Sequence, residues 1–94
     1  MAKNVSREQA YRQILESRGI RFEDCWVLGF MFNGATHNYL FHYELMHKID
    51  LKYHLFDSWG KYAVVIAPDD EANANAIIDL ATQNGGQKTT ISMR

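Results

Sequence analysis

Apolar and polar positions change period several times along the chain, and each change marks an element. Ala10, Tyr11, Ile14 and Leu15 recur at helical spacing, so a helix over residues 7–18 buries one stripe. Ser6 and Gln9 have the spacing of a capping box, Val5 and Ala10 stand at the positions of a hydrophobic staple, and Gly19 falls at C′. From Asp24 the period becomes two: Trp26, Leu28, Phe30 and Phe32 alternate with Cys25, Val27, Gly29 and Met31, which predicts a strand with one aromatic face.

Asn33-Gly34 supplies the dipeptide of a two-residue hairpin. Beyond it the odd positions Tyr39, Phe41, Tyr43, Leu45, Ile49, Leu51, Tyr53 and Leu55 are apolar, which continues the alternation. A single strand of that length would be unusual, so the pattern predicts two strands with a break near His47–Asp50. The rival reading is a helix from Asn38 to Ile49, favoured by Leu40, Glu44, Leu45 and Met46. Asp57-Ser58-Trp59-Gly60 reads as a turn, and Tyr62 to Ala67, apolar on both faces, as a central strand. Pro68-Asp69-Asp70-Glu71 opens a second helix, whose stripe is Ala76, Ile77, Leu80 and Ala81 and whose end is Gly85-Gly86. Lys88 to Met93 reads as an edge strand, and Gly29, inside a strand, calls for a bulge or a large side chain such as Trp59 over the backbone.

The expected order is therefore α-β-β-β-β-α-β: an α+β domain over residues 1–94, with a mainly antiparallel sheet, two helices on its aromatic face and a right-handed crossover joining the last two strands. The helix, three-strand, helix order resembles the double-stranded RNA-binding domain. That family grips phosphates with basic residues at the start of its second helix, where this chain has Asp69, Asp70 and Glu71.

Composition narrows the function classes. At 94 residues, 47% hydrophobic, with two Trp, five Tyr and five Phe and a net charge of −1, the chain is ordered rather than disordered. No apolar run approaches the about 20 residues of a membrane span. Residues 1–6 lack the apolar core of a secretory signal, and the lone Cys25 fits a reducing compartment, so a cytoplasmic protein is expected.

Three sets of residues are candidates for function. The sheet face turned from the helices would carry Met31, Leu40, Met46 and Phe56, too apolar for idle solvent exposure, which points to a protein partner or a homodimer. On that reading the chain is a non-enzymatic regulator, adaptor or inhibitor that needs no cofactor, since no phosphate-binding loop, nucleophile elbow or metal-ligand spacing is found. The second set is Arg7, Arg12, Arg18 and Arg21, which with Lys3 make the N-terminal part basic, so that the first helix could take an anionic ligand or nucleic acid. A sequence pI of about 6.4 and the lack of any basic run argue against general nucleic-acid binding. The third set depends on register: two successive hairpins would align Cys25, His42 and His54 across three strands with Glu44 nearby, a possible zinc or thiol site.

Overall fold

The computed structural model describes residues 5–94. It contains three α-helices, α1 (Arg7–Glu16), α2 (Ala35–His47) and α3 (Glu71–Gln83), and four strands, β1 (Cys25–Met31), β2 (Leu55–Trp59), β3 (Tyr62–Pro68) and β4 (Gln87–Lys88). A single 3-10 turn at Phe22–Asp24 leads into β1. The strands form one antiparallel sheet in the order β2-β3-β1-β4. This is the α+β class read from the sequence, with β3 central as its apolar run requires.

From β1 onward the elements run β-α-β-β-α-β. β1 and β2 are parallel with β3 between them, and β3 and β4 are parallel with β1 between them, so each helix crosses over one intervening strand. That is the split-βαβ, ferredoxin-like order. Both α2 and α3 lie on one face. There Leu28, Phe30 and Phe32 of the β1 segment and Ala63, Val65 and Ala67 of β3 pack with Phe41, Leu45, Ala74, Ile77, Leu80 and Ala81. The opposite face is covered by α1, where Tyr11 and Leu15 bury Leu55, Val64 and Ile66. The first helix thus belongs to the other side of the sheet from the aromatic one.

The main departure from the periodicity reading is residues 35–47, which are helical. An i, i+4 spacing satisfies a period of two and a period of 3.6 alike, so the pairs Tyr39/Tyr43 and Phe41/Leu45 fit both. The buried residues decide between them: Asn38, Phe41 and Leu45 are inside, at i, i+3 and i+7, while Tyr39 and Tyr43 are exposed. Asn33-Gly34 accordingly opens a helix instead of turning a hairpin, with Gly34 at the N-cap in extended conformation (φ 177°). The strand run behind the order resemblance to the double-stranded RNA-binding domain is therefore absent.

The two-residue hairpin occurs later. Trp59 pairs with Tyr62 across Gly60-Lys61, and Gly60 takes the positive φ (56°) that the first position of such a turn demands. Residues 57–59, expected in a turn, belong to β2. The segment before β2 is fixed by Asn73 of α3, whose amide donates to the Lys52 carbonyl and accepts from the Lys52 amide, both at 2.8 Å.

Helix termini follow the sequence closely. Ser6 Oγ accepts from the Gln9 amide while Gln9 Oε1 accepts from the Ser6 amide, both at 3.1 Å. At the other end the Ile20 amide reaches the Leu15 carbonyl and the Gly19 amide the Glu16 carbonyl, a Schellman closure with Gly19 at C′ (φ 75°). Gly85 closes α3 in the same way.

The last strand is shorter than expected. After Lys88 the chain leaves the sheet edge and crosses β1 on the α1 face: a Cβ on Gly29 would sit 2.6 Å from Ile91 Cγ1 and 2.7 Å from the Thr89 carbonyl oxygen. Ile91, not an aromatic ring, is what Gly29 accommodates. The Met93 carbonyl then accepts from the Glu8 amide at 3.0 Å, satisfying a first-turn N–H of α1.

Candidate functional site

The sequence-derived interface set is dispersed by the fold. Met31 lies on the α1 face of β1, paired with Tyr62 and Gln87. Phe56 faces the opposite way and packs against the α2/α3 core, its ring 6.1 Å from Phe41. Leu40 and Met46 are exposed, but on a helix rather than on the sheet. The expectation of one apolar sheet face carrying all four is corrected, because α1 and residues 89–94 cover one face and α2 and α3 the other.

Leu40 and Met46 instead join a different surface. Asn38, Phe41 and Leu45 turn inward, so helical geometry turns Tyr39, Leu40, Tyr43, Met46 and His47 outward. Exposure agrees: Tyr39 is 68% exposed, Tyr43 52%, Met46 58%, Leu40 44%, and Ile49, just past the helix, 98%. A solvated helix face ordinarily carries charge. The one charged residue of α2 is Glu44, which lies toward α3 and accepts a bond from Asn84 Nδ2 at 3.2 Å.

The face is also ordered. His47 donates from Nδ1 to the Tyr43 carbonyl at 2.7 Å, and its ring packs on the Tyr43 ring at 4.3 Å between centroids. At one margin His42 stacks on Phe56, rings 3.7 Å apart and nearly parallel. Burial there holds the His42 imidazole below its ordinary pKa. Underneath, Asn38 Nδ2 donates to the carbonyls of Gly60 (3.0 Å) and Tyr62 (2.9 Å), tying α2 to the β2–β3 turn, while its buried Oδ1 has no partner among the described residues. Sequence reasoning passed over Asn38; the signal was an amide on the same helical stripe as Phe41 and Leu45.

The metal reading is overturned. Among the described residues no three His, Cys, Asp or Glu side chains approach one another closely enough to hold an ion. Cys25 pairs with Pro68 and donates its thiol to the Arg21 carbonyl at 3.3 Å. Burial, followed by the charges of Asp24, Asp69 and Glu23, pushes that thiol up, away from the reactive thiolate. His42 is on α2 against Phe56, His54 precedes β2 and Glu44 faces α3, because the two hairpins that would have aligned them do not form.

The arginines do not converge either. Arg12 is ion-paired with Glu8 at 2.9 Å and with Glu23. Arg7 lies over the Trp59 ring at 3.8 Å, Arg18 donates to the His54 carbonyl at 2.7 Å, and Arg21 is 3.7 Å from Asp24. Each guanidinium already has a partner within the protein, and Lys3 lies outside the described residues. Beside Arg7 a shallow cavity of about 270 Å³ is lined by Trp59, Tyr62, Thr90, Ile91 and Ser92. No protein-family model, curated protein or solved structure matches the chain. No helix among the described residues is long and apolar enough to cross a membrane.

Proposed function

We propose that this protein is a non-enzymatic interaction module, a regulator, adaptor or inhibitor that acts by occupying a surface on another protein and that self-associates. The observation that carries this reading is the outward face of α2: Tyr39, Leu40, Tyr43 and Met46, four large apolar side chains with no acidic or basic residue among them, on a helix whose opposite side is locked into the core. Aromatic and methionine side chains are enriched at protein interfaces, and charges are depleted at their centres. A rigid anchor loses little conformational entropy on docking.

The test is affinity capture with the wild-type chain, Met46→Glu on α2 and Ile14→Lys on the exposed side of α1, followed by reconstitution of any captured protein in purified form. Binding by the wild type and Ile14→Lys, with loss in Met46→Glu, is expected. Equal binding by all three variants would place the contact elsewhere and refute the assignment.

A further inference from the structure

We infer that the cavity beside Arg7 binds a small planar carboxylate, a single aromatic or heteroaromatic ring whose carboxylate sits on the Arg7 guanidinium. The site lies on the α1 side of the sheet and does not depend on α2 being a docking surface.

Arg7 is held differently from the other arginines. Arg12 gives N–H groups to Glu8 and Glu23, Arg18 gives one to the His54 carbonyl, and Arg21 has Asp24 at 3.7 Å. Arg7 is half-buried, with its guanidinium carbon 3.8 Å from the centre of the Trp59 ring. Among the described residues no carboxylate pairs with it and no hydrogen bond uses its side-chain N–H groups. Stacking occupies the face of the planar cation and leaves the fork of donors in its plane, which matches the two oxygens of a carboxylate. The nearest acids in the site's own elements are engaged elsewhere. Glu8 pairs with Arg12 at 2.9 Å, and Asp57, on the same face of β2 as Trp59, accepts from the Tyr11 hydroxyl at 2.7 Å. The carboxylate that completes the Arg7 fork therefore has to come from outside.

The walls select the rest of the ligand. Trp59 and Tyr62 stand 6.3 Å apart between ring centroids, inclined by 32°, so the cavity offers aromatic surfaces on which a flat ring packs. Thr90 and Ser92 add hydroxyl groups at the opposite wall. Lys61, its Nζ 5.7 Å from the Tyr62 ring centre, adds positive charge at the margin. A free phosphate would leave the ring surfaces unused. The volume of about 270 Å³ falls below the about 300–1,000 Å³ of sites for drug-sized molecules, which limits the occupant to one ring. The far wall is itself positioned: Ile91 fills the space that Gly29 leaves over β1, and the Met93 carbonyl accepts from the Glu8 amide at 3.0 Å. An occupant thus touches α1, the β2–β3 hairpin and the C-terminal segment together, and its binding should raise Tm by linkage.

Titrating the isotope-labelled full chain with benzoate, and following the backbone amide and indole resonances, tests this. Benzamide serves as the same shape without the charge, and inorganic phosphate as a charge without the ring. Benzoate should give saturable shifts at the Trp59 indole and at the Ile91 and Ser92 amides in the millimolar range, with benzamide and phosphate at least tenfold weaker. Arg7→Gln should lose benzoate at least tenfold, while Arg21→Gln and Met46→Glu bind as the wild type does. Thermal melts check that Arg7→Gln folds, and benzoate should raise the Tm of the wild type and of Arg21→Gln but not of Arg7→Gln. The comparison of benzoate with benzamide needs no variant, so it decides even where Arg7→Gln is destabilised. No saturable shift up to several tens of millimolar benzoate, equal affinity for benzamide or phosphate, or full affinity in folded Arg7→Gln would each overturn the assignment. None of these outcomes bears on capture through Met46, so failure here is distinguishable from failure of the docking reading.

Discussion

α1 and α2 flank the same sheet from opposite sides and are stabilised in opposite ways. α1 carries Arg7, Glu8, Arg12 and Glu16 within ten residues, has a complete capping box and a Schellman closure, and buries only Tyr11 and Leu15. α2 carries Glu44 alone within thirteen residues and has no side-chain cap at its N-terminus. Its order comes from tertiary contacts: Asn38 bonded to the hairpin turn, Phe41 within 5.5 Å of Phe30 and 5.2 Å of Phe32, and His42 on Phe56. A helix that satisfies its own ends and solvates its own surface can serve as a cover. One held from beneath, with an uncharged upper surface, is suited to being covered.

The strongest way to break that contrast is at Asn38. Asn38→Asp removes the amide donor and sets carboxylate oxygens against the carbonyls of Gly60 and Tyr62, which lie 2.9 to 3.0 Å from the amide nitrogen. A buried, unpaired charge of this kind should cost about 3 kcal/mol or more. In a domain of this size each kcal/mol lowers Tm by about 4–8 °C, so a loss above ~12 °C is expected. Urea denaturation measures it. An unchanged midpoint would show that the Asn38 link does not seat α2.

The same contrast explains what was legible in the sequence. The capping box at Ser6, the Gly19 closure, the β1 alternation, the central position of β3 and the end of α3 at Gly85 are local chemistry, and each appears where the residues put it. α2 has no such local signature. Its apolar pairs four apart fit strand and helix equally, and the choice is made by Asn38, Phe41 and Leu45 meeting residues far away in sequence. Every candidate site that relied on strands in that segment was displaced with it, Cys25, His42 and His54 above all. The docking surface is half visible in the sequence: Leu40 and Met46 stand among the candidate interface residues, but a period of two puts Tyr39 and Tyr43 on the same face as Phe41 and Leu45, whereas the helix turns them out to solvent.

A smaller effect sharpens the difference between the two helix starts. Ser6→Ala removes the acceptor for the Gln9 amide and leaves the reciprocal box half made, which should cost about 1 kcal/mol. α2 starts instead at Gly34, in extended backbone, where an added Cβ would meet nothing within 4 Å. Gly34→Ser can therefore supply the cap that α2 lacks, with a gain of a few tenths of a kcal/mol. Thermal melts of the two variants should move in opposite directions. If Ser6→Ala were as silent as an ordinary surface change, α1 would not depend on its own cap.

The smallest effect is a separation of the two layers by pH. His42 is a base whose folded pKa is held below its ordinary value of 6.5 by burial against Phe56, so the folded state binds its proton less readily than the unfolded chain. Stability on the α2 side should therefore decline as pH falls below about 6.5 and level off once it passes the depressed folded pKa. Glu23 is an acid held below its ordinary 4.5, chiefly by its hydrogen bond from Arg12 and next by a backbone bond. Its contribution, on the α1 side, is present above 4.5 and is lost only as pH falls through the lower folded value. His42→Phe, which keeps a ring on Phe56, should flatten the upper part of the acid limb and leave the lower part unchanged. Glu23→Gln should do the reverse, and because that pair is exposed, its part of the limb should shrink in concentrated salt while the His42 part persists. Acid limbs that both variants flattened over the same range would mean that the two faces of the sheet do not titrate independently.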